Sequence, residues 1–168
     1  NSGVAFENAA QAEAAFKGDN DSYIYSRYGN PTVSVFEARL AVLEGADMCR
    51  ATATGMAAVF SSIACQLRAG ERVVASRALF GSCHFIVDQI LPRWGIETVF
   101  VDGTNLDEWE AALALPTSVV FLESPSNPML DLVDIPAVAE MAHAAGARMV
   151  VDNVFATPLY QKPLELGA

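Results

Sequence analysis

Three short stretches of the 168-residue chain set polar groups where an apolar run gives out, and each brings a definite chemistry within reach. In "ATATGMAAVF", Thr54 can cap a helix that starts at Gly55 and Met56. Gly55 is expected to let the backbone turn sharply there. The unbonded amides of a first helical turn, with about half a positive charge from the helix dipole, make a cup for a phosphate. In "FLESPSNP", an apolar strand ends at Glu123 and the prolines forbid a helix. Asn127 can then offer its side-chain amide to a ligand, or close an Asx-turn before Pro128. In "RMVVDNVFATP", Asp152 follows three apolar residues. A carboxylate leaving a sheet partly desolvated needs a partner, either a protonated heterocyclic nitrogen or a donor in the loop toward Pro158.

Each stretch alone has an ordinary structural role. Together, a phosphate cup, an amide and a carboxylate at successive strand ends fit one flat ligand bearing a phosphate, an oxygen substituent and a ring nitrogen. Pyridoxal 5'-phosphate has that shape. Asp152 would keep the pyridine nitrogen protonated, so that the ring accepts electrons from a substrate carbanion. Phe80, in "ALFGS" just past the strand "RVVAS", is an aromatic available to cover the ring face.

The elements that must carry these residues follow from apolar periodicity. "AAQAEAAF" reads as a helix. "PTVSVFEARLAVLEG" reads as a second, capped by Asn30, opened by Pro31, closed by Gly45, with an apolar face of Val33, Phe36, Leu40 and Leu43. A short strand is expected near "DMCRAT", then a helix from "GMAAVFSSIACQL". Thereafter strands "RVVAS", "ETVFVD", "SVVFLES" and "RMVVDN" alternate with helices in "GSCHFIVDQILPRW", "LDEWEAALA" and "IPAVAEMAHAAG", with Pro92 disturbing the first of these. This order predicts an α/β fold, a mostly parallel sheet with helices on both faces, whose ligands bind at the carboxyl ends of the strands.

A net charge of −10 repels phosphate backbones and argues against a nucleic-acid partner. The sequence lacks an uninterrupted apolar run of about 18 residues, so no membrane span is expected. "NSGVAFENAA" has neither the basic nor the apolar region of a signal peptide, and the chain is expected to begin inside a longer protein. Three cysteines, Cys49, Cys65 and Cys83, without a CxxC, fit reduced core thiols in a cytoplasm and no metal site. His84, His143, Trp94 and Trp109 read as packing or surface residues.

One further stretch, "YIYSRYGNPT", sets three tyrosines and Arg27 before Asn-Pro-Thr. With it, "TATGMAA", "LFGS", "ESPSNP" and "VVDNVFATPLYQKPLELGA", the chain resembles the Cys/Met-metabolism pyridoxal-phosphate enzymes over nearly its whole length. The likeness is greatest to the bacterial O-succinylhomoserine sulfhydrylases, in "SRYGNPTVSVFE", "LFGSCH" and "ILPRWGIETVFVDG". The resemblance implies the large domain of the fold type I (aspartate aminotransferase-like) enzymes. It implies a partial N-terminal arm and inter-subunit loop over residues 1–30 and a partial cofactor-binding domain over 31–168. It assigns the cofactor phosphate to Gly55 and Met56 with Thr54 beside them, the ring face to Phe80, the phenolic oxygen to Asn127 and the pyridine nitrogen to Asp152. The resemblance also has Tyr25 and Arg27 act in trans, on the phosphate of a neighbouring copy, in a dimer of active sites within a tetramer.

The implied reaction of the intact enzyme is γ-replacement on the small-molecule substrate O-succinylhomoserine with sulfide, giving homocysteine. Cystathionine γ-synthase and the methionine and cystathionine γ-lyases are same-family alternatives; many of them have Tyr where this chain has Phe80. The family's Schiff-base lysine has no counterpart here: Lys17 and Lys162, the two lysines present, stand in other contexts. No catalytic residue is therefore assigned within the chain, which by itself is expected to be inactive. A non-catalytic cofactor-binding or interaction fragment is the reading from another class.

Overall fold

A computed structural model describes residues 2–168. The chain packs into two compact units, Asn1–Ala51 and Thr52–Ala168.

The first unit carries α1 (Ala9–Lys17) and α2 (Pro31–Glu44). α2 starts as its sequence dictates. The Asn30 side-chain oxygen accepts the Thr32 N–H at 2.9 Å and the Val33 N–H at 3.4 Å, and Pro31 occupies the first turn. Gly45 ends the helix in the left-handed region at φ 69°. The expected apolar face is largely uncovered: Val33, Phe36 and Leu43 are exposed, and Ala41 is the helix's buried residue. An apolar stripe becomes core only where a second apolar surface meets it. The strand expected near "DMCRAT" does not form, because among the described residues those positions have no ladder partner.

The second unit opens with α3 (Gly55–Ala64) and is built on four five-residue strands, β1 (Arg72–Ser76), β2 (Glu97–Val101), β3 (Val119–Glu123) and β4 (Arg148–Asp152). All adjacent strands are parallel, in the order β2-β1-β3-β4. The chain steps outward from β1 to β2, then returns to place β3 on the other side of β1. The topological switch therefore lies between β1 and β3, where open α/β sheets leave a crevice at the strands' carboxyl ends.

Both faces of the sheet are covered, as near-continuous apolar strands require. Val74, Val120 and Leu122 pack with Trp109 and Leu113 of α5 (Leu106–Leu113) and Ile135 and Val138 of α6 (Ile135–Ala144). Val73, Ala75, Val119 and Phe121 pack on the opposite face with Ile63 of α3 and Cys83 of α4 (Gly81–Phe85). After α4 a π-turn over Ile86–Ile90 and a 3-10 turn over Leu91–Trp94 replace regular helix. Pro92 causes this: it has no N–H for the carbonyl four residues back. Trp109 is fully buried and its indole N–H donates to the Gly103 carbonyl at 3.0 Å, while Trp94 sits edge-on to Phe60. Of the three cysteines only Cys83 is core; Cys65 is exposed and Cys49 half-buried.

The sheet's two ends differ in chemistry. At the amino end, the buried Arg72 donates to Glu97 at 3.0 Å, to Thr117 at 2.9 Å and to the Ala112 carbonyl at 2.7 Å, which satisfies its charge. The carboxyl end instead carries Glu123 and Asp152.

Candidate functional site

The carboxyl edge of the sheet collects most of the polar groups singled out in the sequence. Glu123 and Asp152 end their strands in register, one beside the other. Phe80 lies just beyond β1, and Asn127 lies four residues beyond β3.

α3 brings a further group to this edge. It packs on β4, and Gln66, just past its carboxyl end, accepts a bond from Arg148, the first residue of β4, at 3.3 Å. Ten residues of helix span about 15 Å and five of strand about 16 Å, so the helix runs the strand's length in the opposite sense. Its amino end, Gly55 and Met56, thus points the same way as Asp152.

That amino end is open. The Thr54 hydroxyl oxygen accepts the Ala57 N–H at 3.0 Å, which caps the helix. Among the described residues the N–H groups of Gly55 and Met56 have no acceptor. Met56 is anchored by its side chain in the core beneath. Gly55 has no left-handed φ, and a Cβ added there would meet no atom within 4 Å. The sharp turn expected of Gly55 is therefore absent; what its missing side chain leaves is open space over two unbonded amides.

Asp152 is half-buried, and one of its oxygens accepts the Val154 N–H at 3.0 Å. This satisfies the loop-capping role open to it, yet among the described residues no donor reaches its second oxygen. The Asn127 side chain likewise makes no hydrogen bond among the described residues, so the Asx-turn expected as its alternative does not form. Phe80 presents its ring at 44% exposure, which leaves an aromatic face available beside the crevice.

Glu123 is the residue of this edge that sequence reading noted but did not use. The residue is 4% exposed, and its carboxylate accepts the Phe80 N–H at 2.8 Å on one oxygen and the Asn127 N–H at 3.2 Å on the other. The Cys83 sulfur lies within 4.8 Å of it. Burial raises the Glu123 pKa against the lowering pull of these donors, and the nearby Asp152 charge raises it further. Burial, then the two carboxylates, push the Cys83 thiol up to about 12. Ligand atoms of Cys83, Glu123 and Asp152 lie within 4.8 Å of one another. The sequence signal for Glu123 was the one that marked Asp152, a charge closing an apolar strand.

A second clip lies behind the edge. The Gln161 side-chain amide donates to the Ser124 carbonyl at 2.7 Å and to the Asn153 side-chain oxygen at 2.9 Å, and the Gln161 main-chain carbonyl accepts from the Asn153 side-chain amide at 2.9 Å. The loops after β3 and β4 are thereby tied together.

Tyr25 and Arg27 belong to the first unit. The Arg27 guanidinium carbon stands 5.6 Å from the Tyr25 ring centroid and 4.9 Å from that of Tyr28, and all three residues are exposed. Tyr25 forms an isolated antiparallel bridge with Gly3. The two lysines are ion-paired locally, Lys17 with Glu13 and Lys162 with Glu165.

The groups left uncommitted at the carboxyl edge match pyridoxal 5'-phosphate in kind: two amides at a helix start for a phosphate, one carboxylate oxygen for a cationic nitrogen, a neutral amide and an aromatic face.

Comparison with known proteins agrees. Residues 1–168 match the Cys/Met metabolism PLP-dependent enzymes. The chain is 61% identical over 166 residues to an O-succinylhomoserine sulfhydrylase of Mycobacterium tuberculosis, covering 99% of this chain and 41% of that protein. It is 43% identical over 164 residues to an L-methionine gamma-lyase of Fusobacterium nucleatum subsp. polymorphum, covering 97% of this chain and 42% of the relative. Among solved structures, a putative O-acetylhomoserine (thiol)-lyase (metY) of Campylobacter jejuni with N'-pyridoxyl-lysine-5'-monophosphate superposes with a TM-score of 0.89 at 33% identity, over 100% of this chain and 42% of that one. The chain thus spans about two fifths of the length of the relatives it matches.

Proposed function

The chain belongs to the Cys/Met metabolism PLP-dependent enzyme family, and from that premise we propose that the whole protein carries out a γ-replacement. The succinyl group of O-succinylhomoserine leaves the γ-carbon as succinate and sulfide takes its place, giving homocysteine. The observation that carries this choice within the family is the 61% identity to an O-succinylhomoserine sulfhydrylase along 99% of the chain.

Pyridoxal 5'-phosphate, when bound, supplies an electron-accepting ring that makes the hydrogens next to the substrate's amino-bearing carbon removable. The chain's own residues do the holding. Gly55 and Met56 donate their N–H groups to the phosphate in the space that a side chain at position 55 would intrude upon, and Thr54 fixes the helix start that presents them. The free oxygen of Asp152 keeps the ring nitrogen protonated, because a carboxylate at contact distance favours the charged form. Phe80 covers one ring face and excludes water from it. Asn127 donates its amide to the ring's phenolic oxygen.

Tyr25 and Arg27 serve a phosphate bound by a second copy of the chain, Arg27 through a charge-assisted, bidentate contact. The functional protein is accordingly a homo-oligomer with shared sites, working in the cytoplasm. The step that needs a covalently attached lysine falls to a residue outside these 168, so this piece alone turns over no substrate.

A second reading, γ-elimination, draws on the 43% identity to an L-methionine gamma-lyase. Phe80 favours replacement, since a phenyl ring has no hydroxyl to share in moving a proton. The test is an assay of the whole protein with O-succinylhomoserine and either sulfide or cysteine, with O-acetylhomoserine and sulfide, and with methionine alone. Homocysteine formed fastest from the succinyl ester and sulfide supports the proposal. Cystathionine from cysteine, or ammonia from methionine alone, as the dominant activity overturns it.

A further inference from the structure

Glu123 stands at the switch point between β1 and β3 and touches both walls of the crevice. It receives the main-chain N–H of Phe80, a residue 43 positions away, and that of Asn127, four positions on. These are the residues proposed above for the ring face and the phenolic oxygen. Phe80 caps the start of α4 through its carbonyl and Asn127 lies in a turn, so outside a helix or strand ladder the N–H of each is held by Glu123. The Cys83 thiol, on α4 one turn past Phe80, lies within 4.8 Å of the same carboxylate.

Two main-chain donors converging on one buried group, one to each oxygen, demand an acceptor-only side chain with two oxygens, which is what a carboxylate offers. Glutamine keeps the volume but has one oxygen, and its amide would face an N–H across a donor–donor contact. An apolar replacement would strand both main-chain donors, and buried unpaired N–H groups are costly. A two-oxygen carboxylate is thus the side chain that matches the donors around it.

We propose that Glu123 is a positioning residue of the cofactor site: by clamping the Phe80 and Asn127 main chains onto one carboxylate it fixes the crevice between β1 and β3 at the width of a single flat ring. It touches no substrate itself and acts through the two residues it holds. The inference rests on the proposed placement of the cofactor at this edge.

The test uses the full-length protein stripped of cofactor and titrated with pyridoxal 5'-phosphate. It reads the dissociation constant, the visible circular dichroism of the bound cofactor, and the far-ultraviolet spectrum and thermal midpoint of the apo form. Glu123→Gln is expected to weaken binding by about tenfold or more and to reduce the visible dichroism, with the apo far-ultraviolet spectrum unchanged. Cys83→Ala, which removes the thiol but leaves both main-chain bonds, is expected to show a smaller loss. If Glu123→Gln does not fold, Glu123→Asp, which withdraws the carboxylate by one methylene, is read by the same criteria. Native affinity and dichroism in the folded Glu123 variant, or a loss in Cys83→Ala as large as that in Glu123→Gln, overturns the clamp. Wild-type protein that takes up no pyridoxal 5'-phosphate overturns the placement of the cofactor as well.

Discussion

Glu123 and Asp152 occupy the same rung of the sheet, the last pair between β3 and β4. Two carboxylates held side by side repel, and the buried one bears the consequence: burial first, then Asp152, raise the Glu123 pKa while its hydrogen-bond donors hold it down. A carboxyl whose folded pKa lies above its unfolded value contributes stability that is full below the unfolded value and is lost as pH rises through the folded one. The stability of wild type relative to Glu123→Gln should therefore fall as pH increases upward from the ordinary glutamate range. Paired urea denaturations across that range measure it, and a difference that grows with pH refutes the assignment.

Asp152→Asn keeps an oxygen for the Val154 N–H and should leave folding nearly intact. In the full-length protein the turnover rate should fall by about 10²–10³-fold, the loss typical of removing one preorganised electrostatic partner from a reacting group. The absorbance spectrum of bound cofactor should change in parallel, which separates the effect from poor folding.

Thr54→Ala removes the cap on the Ala57 N–H and is expected to destabilise the protein by about 1 kcal/mol, while Thr54→Ser should be close to neutral. Chemical denaturation of the apo protein reads this directly, without dependence on cofactor.

Gly55→Ala should act in opposite directions on fold and site. Its methyl group meets no atom within 4 Å, so stability should hold or rise by up to about 1 kcal/mol through helix propensity. The same methyl enters the space in front of the Gly55 and Met56 amides, and pyridoxal 5'-phosphate affinity should drop by about tenfold. A variant that is more stable and binds equally well would remove the phosphate from this position.

Cys83, pushed up to about 12 by burial and two carboxylates, should resist alkylation while exposed Cys65 reacts. At pH 9 the thiolate fraction alone slows Cys83 by about 10²–10³-fold, and burial slows it further. Mass spectrometry of the alkylated native protein distinguishes the two positions.

Much of the second unit was legible because its signals are local. The runs "RVVAS", "ETVFVD" and "SVVFLES" are short, β-branched and bounded by breakers, and each became a strand over the residues that the pattern marked. Asp152 could be singled out because a charge after three apolar residues is anomalous by itself. Glu123 shows the same anomaly, yet its role depends on Phe80, 43 residues earlier, and no local pattern encodes that meeting. The Gln161 clip to Ser124, across 37 residues, was invisible for the same reason. In the first unit, periodicity gave α2 and its caps correctly but misjudged its face, because period reports which residues share a side and not whether anything covers them. The strand expected near "DMCRAT" fails on similar grounds: extended backbone counts as a strand only when a neighbour answers its hydrogen bonds.

β4 is the last strand in its ladder, and among the described residues nothing pairs with its outer side. An unpaired border is a template on which stray extended peptide can zip. Handled alone, these 168 residues should self-associate along this border, and along that of β2, as concentration rises; the contact at β4 runs up to Asp152, so clouding of the solution and loss of cofactor capture should set in together.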